Sequence, residues 1–287
     1  MARWNRIQSR GNVEDRRGMS GGKAAAGGVG GLGIIVVLIM MFFGGGGGGL
    51  DQVLGQLEGA QAPQQTDIQP EEFQGEDDYE VFASTVLGSN NDTWDAIFSA
   101  NQLEYSEPRL VLFRGQTDSA CGGANSQIGP HYCPLDETIY LDETFFDELE
   151  RRFGAEGGDV AEAYVIAHEV AHHVQNELNI MGQVQQQQQQ LGRGSEESNQ
   201  LSVGLELQAD CFAGVWANSI SDLGVFLPGE INQALDAAAA VGDDRIQQAI
   251  QGRVTPENWT HGSSQQRVDW FNTGFETGDP ARCDTFS

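Results

Sequence analysis

Residues 163–178 read "AYVIAHEVAHHVQNEL" and hold three of the chain's five histidines inside a pattern that otherwise marks buried helix. Val160, Ala163, Tyr164, Ala167, Ala171, Val174 and Leu178 recur at three- and four-residue spacing, which predicts a helix over 158–178 with an apolar face in a core. His168 and His172 are four apart, so their imidazoles share a face one turn apart and can converge on one metal ion. Glu169 follows the first histidine, placed to take a proton from a metal-activated water without ligating the ion. His173 is turned about 100° from His172 and is expected to pack or to make a hydrogen bond instead.

Two imidazoles do not complete a zinc site, so a third ligand is sought on a second helix. In "SEESNQLSVGLELQADCFAGVWANSISDL", residues 195–223, Leu201, Leu205, Phe212 and Trp216 mark a helix beginning near Ser195, with Glu196 and Glu197 favourable in its first turn. Glu206 and Asp210 stand four apart within that apolar pattern. Buried carboxylates are costly unless paired or metal-bound. Glu206 is therefore the expected third ligand, and Asp210 the expected acceptor of a hydrogen bond from a ligand imidazole. A pair of exposed helical acids is the competing reading. Two imidazoles and one carboxylate suit zinc.

The two segments "HEVAHHVQ" and "ELQADCFAGVWA" together resemble the bacterial neutral zinc metallopeptidase family, a membrane-anchored group related to the gluzincins. "NVEDRRG" at 12–18, "YCPLDETIYLDETFF" at 132–146 and "THGSSQQRVDWFNTG" at 260–274 are similar to that family as well, whereas "RWNRIQS" at 3–9 departs from its more continuous run of arginines. The resemblance implies a zincin-like domain with His168, His172 and Glu206 on zinc and Glu169 as base. "QVQQQQQQLGRG" looks like an insertion-tolerant loop between the metal helices.

Composition divides the rest of the chain. Residues 24 to 43, "AAAGGVGGLGIIVVLIMMFF", are about long enough to cross roughly 30 Å of hydrocarbon and are read as a transmembrane helix, with a cleaved signal peptide as the alternative. Residues 1 to 23 carry six Arg/Lys against Glu14 and Asp15, while the remainder carries nine basic and forty acidic side chains. The positive-inside rule then predicts a cytoplasmic basic tail over 1–23, a single inner-membrane span, and an exported remainder. Residues 44 to 78, rich in Gly, Gln, Pro and acid, read as a flexible tether, and 79–287 as the folded domain. No lysine follows Lys23, so nucleic acid is excluded as a partner on charge; the acidity reads as adaptation to a salty medium.

Four cysteines agree with export. Cys121 and Cys133 flank a short loop, and Cys211 and Cys283 would join a helix to the C-terminal tail; three pairings are possible in all. Each bridge would stabilise by roughly 2–4 kcal/mol. A thiolate metal site is disfavoured, since no C-x-x-C pair occurs.

The expected fold class is α+β. "PRLVLFRG" at 108–115 and "ETIYLDETFF" at 137–146 should pair as strands ahead of a helical majority. The segment 122–132 is the expected edge strand for a peptide substrate, with a plain surface hairpin as the alternative. His261 lies just before Ser263, an expected N-cap with Gln266 in capping-box position, and is the candidate oxyanion donor, with Arg267 to assist it; a surface or capping histidine is the other reading. The function expected is a membrane-anchored zinc peptidase that acts on polypeptides outside the cytoplasm. A catalytically silent zinc-containing tethered scaffold is the alternative, which a fourth protein ligand such as His261 would favour.

Overall fold

The computed structural model describes residues 1–18, 71–72, 77–125 and 129–286. In chain order its elements are strands β1 (Val13–Asp15) and β2 (Glu71–Glu72), helix α1 (Asp78–Ala100), and strands β3 (Arg109–Leu112), β4 (Gln116–Ser119), β5 (Gly122–Asn125), β6 (His131–Cys133) and β7 (Thr138–Leu141). Helices α2 (Thr144–Phe153), α3 (Asp159–Glu177), α4 (Ile180–Leu191), α5 (Glu196–Ser221), α6 (Ile231–Ala240), α7 (Asp243–Gln251) and α8 (Ser264–Thr277) follow. The class is α+β with a helical majority, as read from the sequence.

The two apolar runs do pair, and they pair in parallel: β3 lies beside β7 with Leu110 opposite Ile139. The sheet order is β2-β1-β3-β7-β6, and β4 with β5 forms a separate hairpin. Strand periodicity explains why both faces of the centre are apolar. Leu110, Leu112, Ile139, Leu141 and Tyr132 point into the main core, while Val111, Tyr140 and Cys133 meet Phe113 and Ala124 on the other face. Burying each of these larger side chains stabilises by about 1.5–3 kcal/mol.

The N-terminal expectation is corrected here. Residues 1–17 are not a separate basic tail: β1 is an inner strand, antiparallel to β2 and parallel to β3. Trp4 packs edge-on against Phe82 and Phe226. The Ala2 amide and Trp4 Nε1 donate to Asp159, the first residue of α3, at 2.7 and 2.9 Å. Arg17 forks onto Asp15 and reaches Glu143 at 2.7 Å. Of the basic residues that suggested a tail on the far side of a membrane, Arg3, Arg6, Arg10, Arg16 and Arg17 are thus in the folded body, and Lys23 lies outside the described residues. The expected span 24–43 and most of the tether lie outside the described residues. Among the described residues no helix is long and apolar enough to cross a membrane.

The glutamine run also differs from its reading as a loop. It forms α4, because glutamine is a good helix former once both ends are released, here by Asn179 at φ 56° and Gly192 at φ 87°. The helix at 158–178 is present as α3 and is buried nearly all round, since α1, α5 and α6 pack on different sides of it. The strand edge is shorter than expected. Gly122–Asn125 belongs to the hairpin, and among the described residues of the expected segment His131 and Tyr132 lie on β6, an edge strand of the main sheet.

Both disulfides occur in the favoured pairing, Cys121 with Cys133 and Cys211 with Cys283. The first ties the hairpin to the edge strand, and the second ties α5 to the C-terminal tail. Helices α5 and α8 approach backbone to backbone: a Cβ on Gly274 would overlap the Cys211 carbonyl oxygen, and one on Gly214 the Phe271 carbonyl oxygen. That close crossing carries Arg267 of α8 to Asp210 of α5.

Candidate metal centre

His168 and His172 leave α3 toward α5, and Glu206 leaves α5 toward them. One ligand atom from each lies within 4.8 Å of the other two. The imidazole planes are nearly perpendicular, at 85° with centroids 4.8 Å apart, so the rings are crossed and not stacked. His168 Nε2 is 3.2 Å from one Glu206 oxygen and His172 Nε2 is 3.5 Å from the other. All three nitrogen and oxygen donors therefore face a common point, and two neutral imidazoles with one carboxylate form a donor set that fits zinc.

What turns the rings this way is a layer of hydrogen bonds behind them. His168 Nδ1 donates to Asp210 Oδ1 at 2.9 Å, which leaves Nε2 for the metal side. Asp210 has no exposed surface. It also accepts from the Tyr164 hydroxyl and from Arg267. His172 Nδ1 donates to Gln175 Oε1 at 2.8 Å, and the Gln175 amide is fixed in turn by the Leu205 carbonyl at 2.7 Å and by Gln208. Gln175 was missed in the sequence, although it stands three residues after His172 and so one turn along the same helix.

Charge in the site is arranged to keep the carboxylates ionised. Burial pushes the Asp210 pKa up, but Arg267 and His168 outweigh it and hold the carboxyl below its ordinary value. Glu206 is likewise drawn well below the usual range against burial, by His172 first and then by His168 and His261. An ionised Glu206 facing two imidazoles is what a cation requires.

Glu169 is buried beside His168 and lines a cleft of about 670 Å³. His168, His172, Glu206, His261 and Arg267 line the same cleft. One side of it is the edge strand at His131 and Tyr132, and α4 contributes Met181, Val184 and Gln188. His173, by contrast, points away: it bonds the Tyr132 hydroxyl at 3.0 Å and the Ser106 carbonyl at 2.6 Å, which anchors α3 to the edge strand.

His261 is brought to the cleft, outside the ligand cluster. Its Nδ1 donates to Asp243 Oδ1 at 3.2 Å, and Asp243 Oδ2 collects the backbone N–H groups of Thr260, His261 and Gly262 at 2.7, 2.6 and 3.1 Å. Gly262 has φ 85°, a conformation that suits glycine and lets the loop fold around that carboxylate. Ser263 caps α8 with Gln266 in a full capping box. Asp243 was not legible in the sequence. Arg267 does not accompany His261; it is held on Asp210.

A family model described as "Putative neutral zinc metallopeptidase" matches residues 2–286. The uncharacterized protein YpfJ of Escherichia coli (strain K12) is 45% identical over a 294-residue alignment that spans 99% of this chain and 98% of that one. The uncharacterized protein Rv2575 of Mycobacterium tuberculosis (strain ATCC 25618 / H37Rv) is 47% identical over 212 residues, 70% of each chain. No solved structure matches the chain. With the N-terminal strand, both metal helices and the His261 loop all inside the matched region, the chain belongs to the neutral zinc metallopeptidase family.

Proposed function

We propose that the protein is a zinc-dependent peptidase that hydrolyses polypeptides outside the cytoplasm, with Glu169 as general base. The observation that carries this reading is the convergence of His168, His172 and Glu206 at the wall of an open cleft that Glu169 also lines. His168, His172 and Glu206 would hold the ion. When bound, zinc supplies a Lewis acid that polarises a scissile carbonyl and lowers the pKa of water.

The chain's own residues do the rest. Glu169 accepts the proton of the attacking water and returns it to the leaving amine. His261 donates to the developing oxyanion. Burial opposes a charge on that ring, but Asp243 outweighs it and raises the His261 pKa; the protonated ring would donate Nδ1–H to Asp243 and have Nε2–H left for the oxyanion. The edge strand β6 runs along the cleft, and an extended peptide would align with it as a further strand.

Two disulfides support a location outside the reducing cytoplasm, and residues 24 to 43 would associate with the membrane without a single crossing, since the strands on either side of them in sequence share one sheet. The silent-scaffold alternative would gain from a fourth protein ligand. Among the described residues three form the cluster, and His261 is held on Asp243.

The test is metal content together with cleavage of an unstructured protein such as casein, for the wild type and Glu169→Gln. One equivalent of zinc in both, with hydrolysis by the wild type alone, is the expected result. Absence of zinc from the wild type would sink the site assignment, and equal cleavage by both proteins would remove Glu169 as base.

A further inference from the structure

Arg267 is 2% exposed, and its guanidinium is spent on the metal centre's own scaffold. Nε donates to Asp210 Oδ2 at 2.8 Å and Nη2 to Asp210 Oδ1 at 2.9 Å, a two-point fork on one carboxylate. Nη2 also reaches the Tyr164 hydroxyl at 3.2 Å, and Nη1 the Val241 carbonyl at 3.5 Å. The same Nη2 is 3.8 Å from Glu206 and 3.4 Å from His168 Nδ1. A residue that only bound substrate would direct its fork into the cleft.

We infer that Arg267 is a positioning residue for the zinc centre, acting through Asp210: it locks the carboxylate that orients His168 and balances its charge. The inference rests on the metallopeptidase reading above. Three carboxylates, those of Glu169, Glu206 and Asp210, stand around the centre, and a divalent cation neutralises two of them. Arg267 supplies the third positive charge. Without it Asp210, fully buried, would lose its two-point guanidinium partner, and a buried carboxylate stripped of such a partner is costly.

Geometry matters as much as charge. Asp210 Oδ1 is shared among Tyr164, His168 and Arg267, so a small rotation of the carboxylate would turn His168 with it. A planar fork that spans both oxygens prevents that rotation. A lysine ammonium would carry the charge without the two-point grip. Tyr164, on α3 one turn before His168, closes the network from the helix that carries the histidines, so three helices are joined at one carboxylate.

The experiment uses the full chain and reads the zinc dissociation constant by competition with a fluorescent zinc chelator. The proteins are wild type, Arg267→Lys, Arg267→Gln, Asp210→Asn and the double variant Asp210→Asn with Arg267→Gln. Arg267→Gln is expected to weaken zinc binding by about 10- to 100-fold, with Arg267→Lys between it and wild type. In the Asp210→Asn background the same change is expected to cost less than about threefold, because the carboxylate through which Arg267 acts is gone.

Unchanged zinc affinity in Arg267→Gln, or an equal loss in both backgrounds, would overturn the inference. Should Arg267→Gln not fold, Arg267→Lys is compared alone and in the Asp210→Asn background. A loss of affinity confined to the single variant then supports the inference, and no loss or an equal loss overturns it. A wild type that binds no zinc would overturn the metallopeptidase reading itself.

Discussion

Two histidine–aspartate pairs face the cleft, and they are built from different materials. His168 with Asp210 is assembled from side chains of three helices: Asp210 has no solvent exposure, and Arg267 and Tyr164 brace it. His261 with Asp243 is assembled from one loop and the first residue of α7, the loop's three consecutive backbone N–H groups wrapping the carboxylate. In the proposed function the first pair would orient a ligand against a fixed ion and gain from rigidity on all sides. The second would leave a nitrogen for a charge that appears only during reaction, for which a loop held at one carboxylate is sufficient. On the function proposed above, the first pair would serve metal binding and the second the transition state.

The residue between the pairs tests this most severely. Glu206 attracts both imidazoles, and Glu206→Ala should lose zinc on dialysis together with all hydrolysis, read by metal analysis; retained zinc would remove it from the ligand set. Next comes the loop pair. His261→Ala is expected to lower kcat by about 10²- to 10³-fold with zinc content unchanged; loss of zinc in that variant would erase the distinction between the pairs. Asp210→Asn should do the reverse, weakening zinc affinity by about 10- to 100-fold, whereas Asp243→Asn leaves zinc affinity alone and lowers activity by a similar factor. Chelator titration beside steady-state kinetics separates the two.

The smallest effect is expected outside both pairs. Burial, with help from Asp159, Glu143 and Glu150, pushes the Glu162 carboxyl up to about 7. A carboxyl raised in this way contributes stability that is fully present below its ordinary value near 4.5 and is lost as the pH rises through about 7. Glu162→Gln should therefore flatten the fall in urea stability across that window. An unchanged pH profile would show that Glu162 is not held in the neutral form.

The same contrast explains what could be read from the chain beforehand. The juxtaposition of His168, His172, Glu206 and Asp210 was legible because helical periodicity converts a four-residue spacing into a shared face. Asp243 was not, since it acts from the start of α7 on a loop 17 to 19 residues further on, and no periodicity links them. Arg267 was seen but given to the wrong partner, because its direction depends on how closely α8 crosses α5 at Gly214 and Gly274. The strand Val13–Asp15 offers a single apolar side chain, so its charges were read in place of its pairing.

That short strand has a consequence in the order of events during synthesis. Val13 is made long before Leu110, its register partner, and the sheet cannot close until β3 and β7 have both been made. The N-terminal residues must wait, unpaired, while the apolar run at 24 to 43 is synthesised, and must then be within reach of β3. Because Asp15 and Glu71 are direct neighbours across two strands, whatever the intervening segment does, its two ends finish on the same face of any bilayer. The native fold forms only in a compartment that received both the first seventeen residues and the metal helices.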